Sequence, residues 1–441
     1  MPKQRTIQLG IFAACLLGYV WLGYFTERTD FIQVFSTYTF LFGIYLVILY
    51  NSNFSDNFRV IIGAALLLRV SLLLMTPNLS DDYFRFIWDG QLVANGNNPY
   101  LITPSALISS AQTIPGITQA LFEQLNSPTY YSVYPPICQF IFGLSAKING
   151  SNVLGNVILI RFFILLAEFG TITLLHRLTR IFKLPQTLVL IYAFNPLVII
   201  ELTGNLHFEA IMIFFLLLAV YLLVKERPFL SAISFALAVG TKLIPIIFLP
   251  LLIKRLGKRK SAYYFMIVGV TILLFSTPFL SVQSISNYFS SLGLYFQAFE
   301  FNASIYYAVR WVGAQMASDS IVNISIVLLP ILSLVTIAIV AVRERMVDWQ
   351  SLFTSMLFCL TAYLLFSTNV HPWNIAPLVV LAVFSGYRYV IPWSFLVMLT
   401  YVTYQTLPYS ENLWFVAIEY LTVGGWMVYE LRAKLFRLFR R

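Results

Sequence analysis

An all-α polytopic membrane protein is what this sequence predicts, on three observations. Of its 441 residues, 59% are hydrophobic and 10% are charged, whereas a soluble domain carries about 25% charged residues. A water-soluble fold of this length has too little interior to hide that much apolar surface. Apolar runs of about 20 residues, enough to cross ~30 Å of hydrocarbon, recur along the chain. Basic residues gather in the short segments between those runs, the pattern that orients a membrane protein. The net charge of +10 therefore speaks for membrane orientation rather than nucleic-acid binding.

About twelve membrane helices are expected, at 7–26, 31–50, 58–76, 152–178, 186–203, 207–224, 261–281, 320–342, 350–367, 371–386, 389–406 and 413–431. The segment 229–253 is also apolar but is broken by Gly240, Lys242 and Pro245. It reads as a re-entrant hairpin, because irregular backbone is tolerated at membrane depth where protein or a cavity covers it. Charge supports that reading. With the N-terminus in the cytoplasm, the cytoplasmic segments hold Lys3, Arg5, Arg59, Arg177, Arg180, Lys183, Lys225 and Arg227. They also hold Lys254, Arg255, Lys258, Arg259, Lys260, Arg343, Arg345 and Arg388, and the tail Arg432, Lys434, Arg437, Arg440 and Arg441. These are 21 of the 28 Lys and Arg. Were 229–253 to cross once, the cluster at 254–260 would lie outside and every later loop would invert. The first apolar run is read as a retained helix rather than a cleaved signal, since the stretch before Cys15 is too short for one.

The chain reads as one integral membrane domain, 1–441, with two segments on the non-cytoplasmic side, 77–151 and 282–319. In the first, Pro99, Pro104, Pro115, Pro128, Pro135 and Pro136 punctuate short amphipathic pieces expected to lie along the membrane surface. Cys15, Cys138 and Cys359 are far apart, and the three histidines are scattered. No disulfide framework, metal site or cofactor is expected from them.

Chemistry concentrates on the external face. Asp81 and Asp82 stand side by side where an apolar helix ends. Two adjacent carboxylates near low dielectric repel, raising one of them toward the range of a general base. The plainer reading is an acidic helix N-cap, with Ser80 able to start the helix; the residues alone leave the two readings level. Arg85 and Asp89 follow, then the turn Gly96–Tyr100 and the Tyr134-Pro135-Pro136 step. Glu201, Asn205, His207 and Glu209 flank a short loop on the same face, and His371 opens a later apolar run; each alone is more simply an interface anchor. Lys242 differs, because a cation inside an apolar segment is costly and marks a partner or a cavity. Beside a helix break it is placed to hold a phosphate. Arg69, Arg161 and Glu168 are also intramembrane. Arg161 and Glu168 lie seven apart on one helix, which suits a structural role.

The runs SDDYFRFIWDGQLVANGNNPY, VYPP, FNPLVIIELTGNLHFEA, TKLIPIIFLPLL and FSTNVHPW, in order between residues 80 and 373, resemble the polyprenyl-phosphate-sugar-dependent glycosyltransferases of the GT-C fold. The likeness is greatest to the bacterial mannosyltransferase-like group. It implies a GT-C-like architecture and a membrane hexosyltransferase that takes mannose or another hexose from a polyprenyl-phosphate donor. The acceptor would be lipid-linked, glycan or protein, met at the external face of a bacterial inner membrane during cell envelope glycan synthesis. It further implies that Asp81 or Asp82 is the catalytic base of an inverting transfer, with Lys242, Arg85 and His371 at the lipid phosphate. Asp89, Tyr100, Tyr134, Asn205, His207 and Glu209 would border the substrate, Glu209 standing where members of the family often have Asp.

Two other readings compete. A transporter or lipid flippase explains many spans and Lys242, but transporters often repeat their broken segments in two halves, and here one segment is broken. A polysaccharide polymerase or ligase usually places its large external loop late in the chain, whereas here it falls in the first third.

Overall fold

The computed structural model describes residues 2–51, 58–110, 112–316 and 319–439. Lys3, Arg5, Arg437, Arg440 and Arg441, counted above among the cytoplasmic cations, lie outside the described side chains. Helices α1 (Pro2–Tyr24), α2 (Phe31–Tyr50) and α3 (Phe58–Val70) come first; Asp30 caps α2 by accepting from the Gln33 amide. Four helices build the segment between α3 and the next long helix: α4 (Asp82–Ala94), α5 (Pro104–Ile108), α6 (Gln119–Phe122) and α7 (Pro136–Asn149). α4 lies directly on α7. A Cβ on Gly90 would stand 2.5 Å from the Phe142 carbonyl oxygen, and one on Gly143 would stand 2.4 Å from Val93. Only glycine permits that approach.

The long α8 (Val153–Ile181) leads to a broken stretch. A 3₁₀ turn (Gln186–Val189) and α9 (Leu190–Ala193) are followed by a π-helix (Val198–Gly204), bent by 57° across the break. Pro196 interrupts the ladder there by removing an N–H. Then come α10 (Glu209–Val224), α11 (Pro228–Thr241), a 3₁₀ turn (Ile244–Phe248), α12 (Leu249–Leu256) and α13 (Lys258–Ser276). The rest is α14 (Val282–Ala298), α15 (Ile305–Gln315), α16 (Asp319–Arg343), α17 (Trp349–Leu365), α18 (Ala376–Ser385), α19 (Val390–Leu396) and α20 (Leu413–Phe439).

The fold is all-α and polytopic. Among the described residues five helices are long and apolar enough to cross a membrane: Thr6–Tyr24, Phe31–Tyr50, Val153–Ile181, Lys258–Phe279 and Ile321–Arg343. The bent pair Gln186–Ala193 and Val198–Gly204 makes a sixth if taken as one span. The expected span 58–76 ends its helix at Val70, and 207–224 is a helix of 16 residues. α10 and α18 are packed on most sides by other helices, so most of their apolar surface faces protein.

Segment 228–256 turns back on itself. Leu252 packs with Leu223, Phe235 and Leu352 around a small void near one end of α10. Lys242, at the turn, reaches Glu209 at the other end of α10.

The buried Arg69 and Arg161 are both held by hydrogen bonds. Arg69 Nε donates to Glu168 at 2.7 Å with both side chains wholly buried, and Tyr192 adds a 2.5 Å hydrogen bond to the same carboxylate. Arg161 instead gives its guanidinium to the carbonyls of Thr203, Gly204, Leu73 and Met75, tying the π-helix to the chain beyond α3.

α14 is amphipathic in an inverted sense. Ser284, Asn287 and Ser291 are buried, and Asn287 and Ser291 bond to Tyr100 O and Tyr131 N. Val282, Ile285 and Phe289 are exposed on the opposite face.

Candidate active site

The site begins where α4 begins. Asp81 occupies the N-cap position but makes no side-chain capping bond, so the plain capping role is not the one it plays. Its Oδ2 accepts from Arg28 at 2.9 Å and its Oδ1 from Asn126 Nδ2 at 2.9 Å. The same Asn126 nitrogen is 2.8 Å from Asp82 Oδ1. Arg28 is itself steadied by Tyr409 OH at 3.1 Å and by the Tyr404 ring, 4.7 Å from its guanidinium carbon. The Asp82 carboxyl is held above its ordinary range, chiefly by burial and further by Asp81. His207, Lys242 and the Asn126 hydrogen bond pull the other way.

The end of the π-helix supplies the next group. Leu206 adopts φ 64°, a left-handed kink that turns the chain between Asn205 and His207. Glu201 gathers the side chains around it. Its carboxylate accepts from Tyr401 OH at 2.7 Å and from Asn205 Nδ2 at 3.1 Å, and stands 3.4 Å from His207 Nε2. The His207 ring stacks on Trp373 at 3.8 Å. On its other neighbour Trp373 meets His371, ring to ring at 4.2 Å, and His371 stacks on Phe301 at 4.4 Å.

Lys242 closes α11 in extended backbone (φ −147°, ψ 138°), just before the turn that Pro245 enforces. Its Nζ lies 3.1 Å from Oε1 of the fully buried Glu209 and 5.9 Å from the centre of the Tyr134 ring. Lys242 keeps partial exposure, 23% of its side chain, so it is paired without being sealed off.

Four residues expected at the substrate do other work, in whole or in part. Arg85, expected at the phosphate, is buried and committed: Nε to Asp89 at 2.9 Å, the terminal nitrogens to the carbonyls of Ser127 and Tyr130. Asp89 is fully buried and accepts from Arg85, Ser132 and Gln139. These two form an i,i+4 pair that fixes the loop carrying Asn126. Tyr100 donates to Tyr134 O at 2.5 Å and sets its ring edge-on to Phe279 and Tyr288. Tyr134 packs edge-on against Phe86 and Phe142 while facing Lys242. Arg28, Asn126, Tyr401 and Trp373 were not anticipated. Arg28 carried one signal, as a cation in the short link between the first two apolar runs.

The arrangement thus offers a carboxylate with raised proton affinity, a lysine and two imidazoles around one region. Among the described residues no group of three or more His, Cys, Asp or Glu is assembled to hold a metal ion. The sequence family described as alpha-(1->6)-mannopyranosyltransferase, N-terminal domain, matches residues 16–257. The chain belongs to this family. It is 25% identical over 228 residues to the alpha-(1->6)-mannopyranosyltransferase A of Mycobacterium tuberculosis (strain ATCC 25618 / H37Rv), covering 49% of this chain and 42% of that protein. It is 24% identical over 185 residues to the alpha-(1->6)-mannopyranosyltransferase A of Corynebacterium glutamicum (strain ATCC 13032), covering 42% of this chain and 36% of that protein. The aligned stretch thus spans less than half the length of either relative.

For a member of the alpha-(1->6)-mannopyranosyltransferase family, the matched region is informative. It contains Arg28, Asp81, Asp82, Asn126, Glu201, His207, Glu209 and Lys242. His371, Trp373 and Tyr401 lie beyond it and are brought in by the later helices.

Proposed function

We propose that this chain is a glycosyltransferase that moves mannose, or another hexose, from a polyprenyl-phosphate donor to a hydroxyl of a lipid-linked, glycan or protein acceptor. The reaction takes place at the non-cytoplasmic face, with both termini in the cytoplasm, in a bacterial inner membrane. The observation that carries the reading is the asymmetry of the two acids: Asp81 is bound by Arg28, while Asp82, held above its ordinary range by burial, makes no ion pair among the described residues.

Asp82 takes the proton of the acceptor hydroxyl as that oxygen attacks the anomeric carbon. The new C–O bond forms as the bond to the phosphate oxygen breaks, and the lipid phosphate departs with the electron pair. Lys242 stabilises the charge that develops on it, with the imidazoles of His207 and His371 beside it. Attack opposite the leaving group inverts the anomeric centre. The names of the relatives point to an alpha-(1->6) product, and an inverting route to an α-linkage requires a β-linked donor.

The test is transfer by the purified protein from polyprenyl-phosphate [14C]mannose to acceptors in a native membrane extract. A labelled product cleaved by an α-mannosidase, formed from the β-linked donor alone, is expected. Absence of any labelled product, or equal use of both donor anomers, overturns the reading.

A further inference from the structure

Asn369 precedes His371 by two residues. Its main chain is fully occupied. The amide meets Ser367 Oγ at 3.3 Å, the carbonyl accepts from Ser367 Oγ at 3.0 Å, and the residue bridges to Phe301. That bridge is built from Phe301 N to Thr368 O at 3.1 Å and Val370 N to Phe301 O at 2.8 Å. The backbone is therefore pinned, while neither Oδ1 nor Nδ2 of the 6%-exposed side chain has a hydrogen-bond partner. Other buried amides here are at least half used: Asn205 Nδ2 meets Glu201 and Tyr401, and Asn302 Nδ2 meets Glu419.

An unpaired buried polar group costs about 1–3 kcal/mol, and native folds seldom leave one without a reason. Side chains alternate along extended backbone. Val370 is buried in the apolar core, so Asn369 and His371 project to the other side together. That is the side on which His371 and His207 flank Trp373.

We infer that Asn369 binds a pair of neighbouring hydroxyls on a hexose, resting on the transferase reading above. An amide offers a donor and an acceptor side by side. One hydroxyl oxygen accepts from Nδ2–H while its neighbour donates to Oδ1. An ionised phosphate has no proton to give and satisfies only half of this side chain. The same diol chemistry belongs to the donor sugar and to a glycan acceptor.

The experiment compares wild type with Asn369→Leu, which keeps size and removes both polar atoms, and Asn369→Asp, which keeps the acceptor. Each is assayed with the mannosyl donor, with singly deoxygenated donors and with singly deoxygenated acceptors. Loss of two neutral hydrogen bonds predicts a fall in kcat/KM of roughly 5- to 150-fold for Asn369→Leu. Asn369→Asp, losing the donated bond alone, is expected to fall less. The decisive result is non-additivity: Asn369→Leu becomes insensitive to removal of the hydroxyl it no longer meets, in the donor arm or in the acceptor arm. Kinetics like wild type, or independent losses in both arms, overturn the inference while leaving the transferase reading intact. If Asn369→Leu does not fold, Asn369→Asp with wild-type kcat/KM on every substrate overturns it equally. A wild-type protein that transfers no mannose sinks both.

Discussion

Neutralising the two acids one at a time separates their roles. The shared Asn126 nitrogen is 2.9 Å from an Asp81 oxygen and 2.8 Å from an Asp82 oxygen, so those oxygens are no more than about 6 Å apart. Two unit charges at that distance repel by about 0.7 kcal/mol in water and about 3 kcal/mol at an effective dielectric of 20. Asp81 thus adds to the rise that burial imposes on Asp82, and Arg28 trims its contribution. A base works only when deprotonated, so the acid limb of the pH–rate profile marks where Asp82 gains its proton. In Asp81→Asn that limb is expected to move to lower pH, by about half a pH unit to two, with the plateau within about tenfold of wild type. Asp82→Asn is nearly isosteric but accepts no proton at neutral pH. It should lose about 10²–10⁴-fold in kcat with donor binding retained. The assay is transfer of labelled mannose across a pH series, with donor affinity measured separately. Abolished turnover in Asp81→Asn beside an active Asp82→Asn reverses the assignment. An acid limb that moves upward in Asp81→Asn refutes the electrostatic argument.

Lys242→Met keeps length and apolarity and should weaken binding of a polyprenyl-phosphate donor with the thermal transition retained; unchanged affinity would return Lys242 to a structural role. Glu209→Gln removes the carboxylate that neutralises Lys242. It should tighten binding of the lipid phosphate product, by about threefold to a hundredfold for a repulsion relieved across about 6 Å, and weaker binding would contradict this. Arg69→Met strands Glu168 in the core and should destabilise by about 3–5 kcal/mol. Thermal unfolding in detergent reads the loss, and Arg69→Met combined with Glu168→Leu should recover part of it. Spin labels at single cysteines replacing Val282, Ile285 and Phe289 should be reached by oxygen in preference to a water-soluble nickel chelate, because the outward face of α14 is the apolar one. The opposite preference would place that face in water.

The parts of this molecule that were legible in sequence are those in which a residue conflicts with its neighbourhood. Lys242 stands out because a cation in an apolar run needs an explanation, and Asp81 and Asp82 stand out at the end of one. What supports them was hidden, since partners come from remote segments. Glu209 answers Lys242 only when α10 and α11 fold together, and Arg28 meets Asp81 across two helices. Arg85 and Asp89 carried a signal that points away from substrate, a spacing of four on one helix, which brings opposite charges together. The course of each apolar segment was less legible for a related reason. Hydropathy records how apolar a segment is but not what covers it, and α10 and α18 are covered by protein. The continuity of a helix depends on backbone breaks such as Asn195-Pro196, to which composition is blind.

The pairing of charge supports the proposal that Asp82, and not its neighbour, is the base. A membrane protein that collects cations for an anionic headgroup must hold them while no headgroup is there, and an unpaired buried charge is expensive. Here each cation rests on a carboxylate: Lys242 on Glu209 and Arg28 on Asp81. Lysine has three N–H donors, so pairing with Glu209 neutralises Lys242 without exhausting it, and its partial exposure leaves an approach open. Among the described residues Asp82 is the acid of this group with no ion pair of its own. A carboxylate that is half-buried, beside a like charge and without a cation in contact has the strongest reason to accept a proton. The fold compensates its cations and leaves that one acid uncompensated, which is the condition a general base requires.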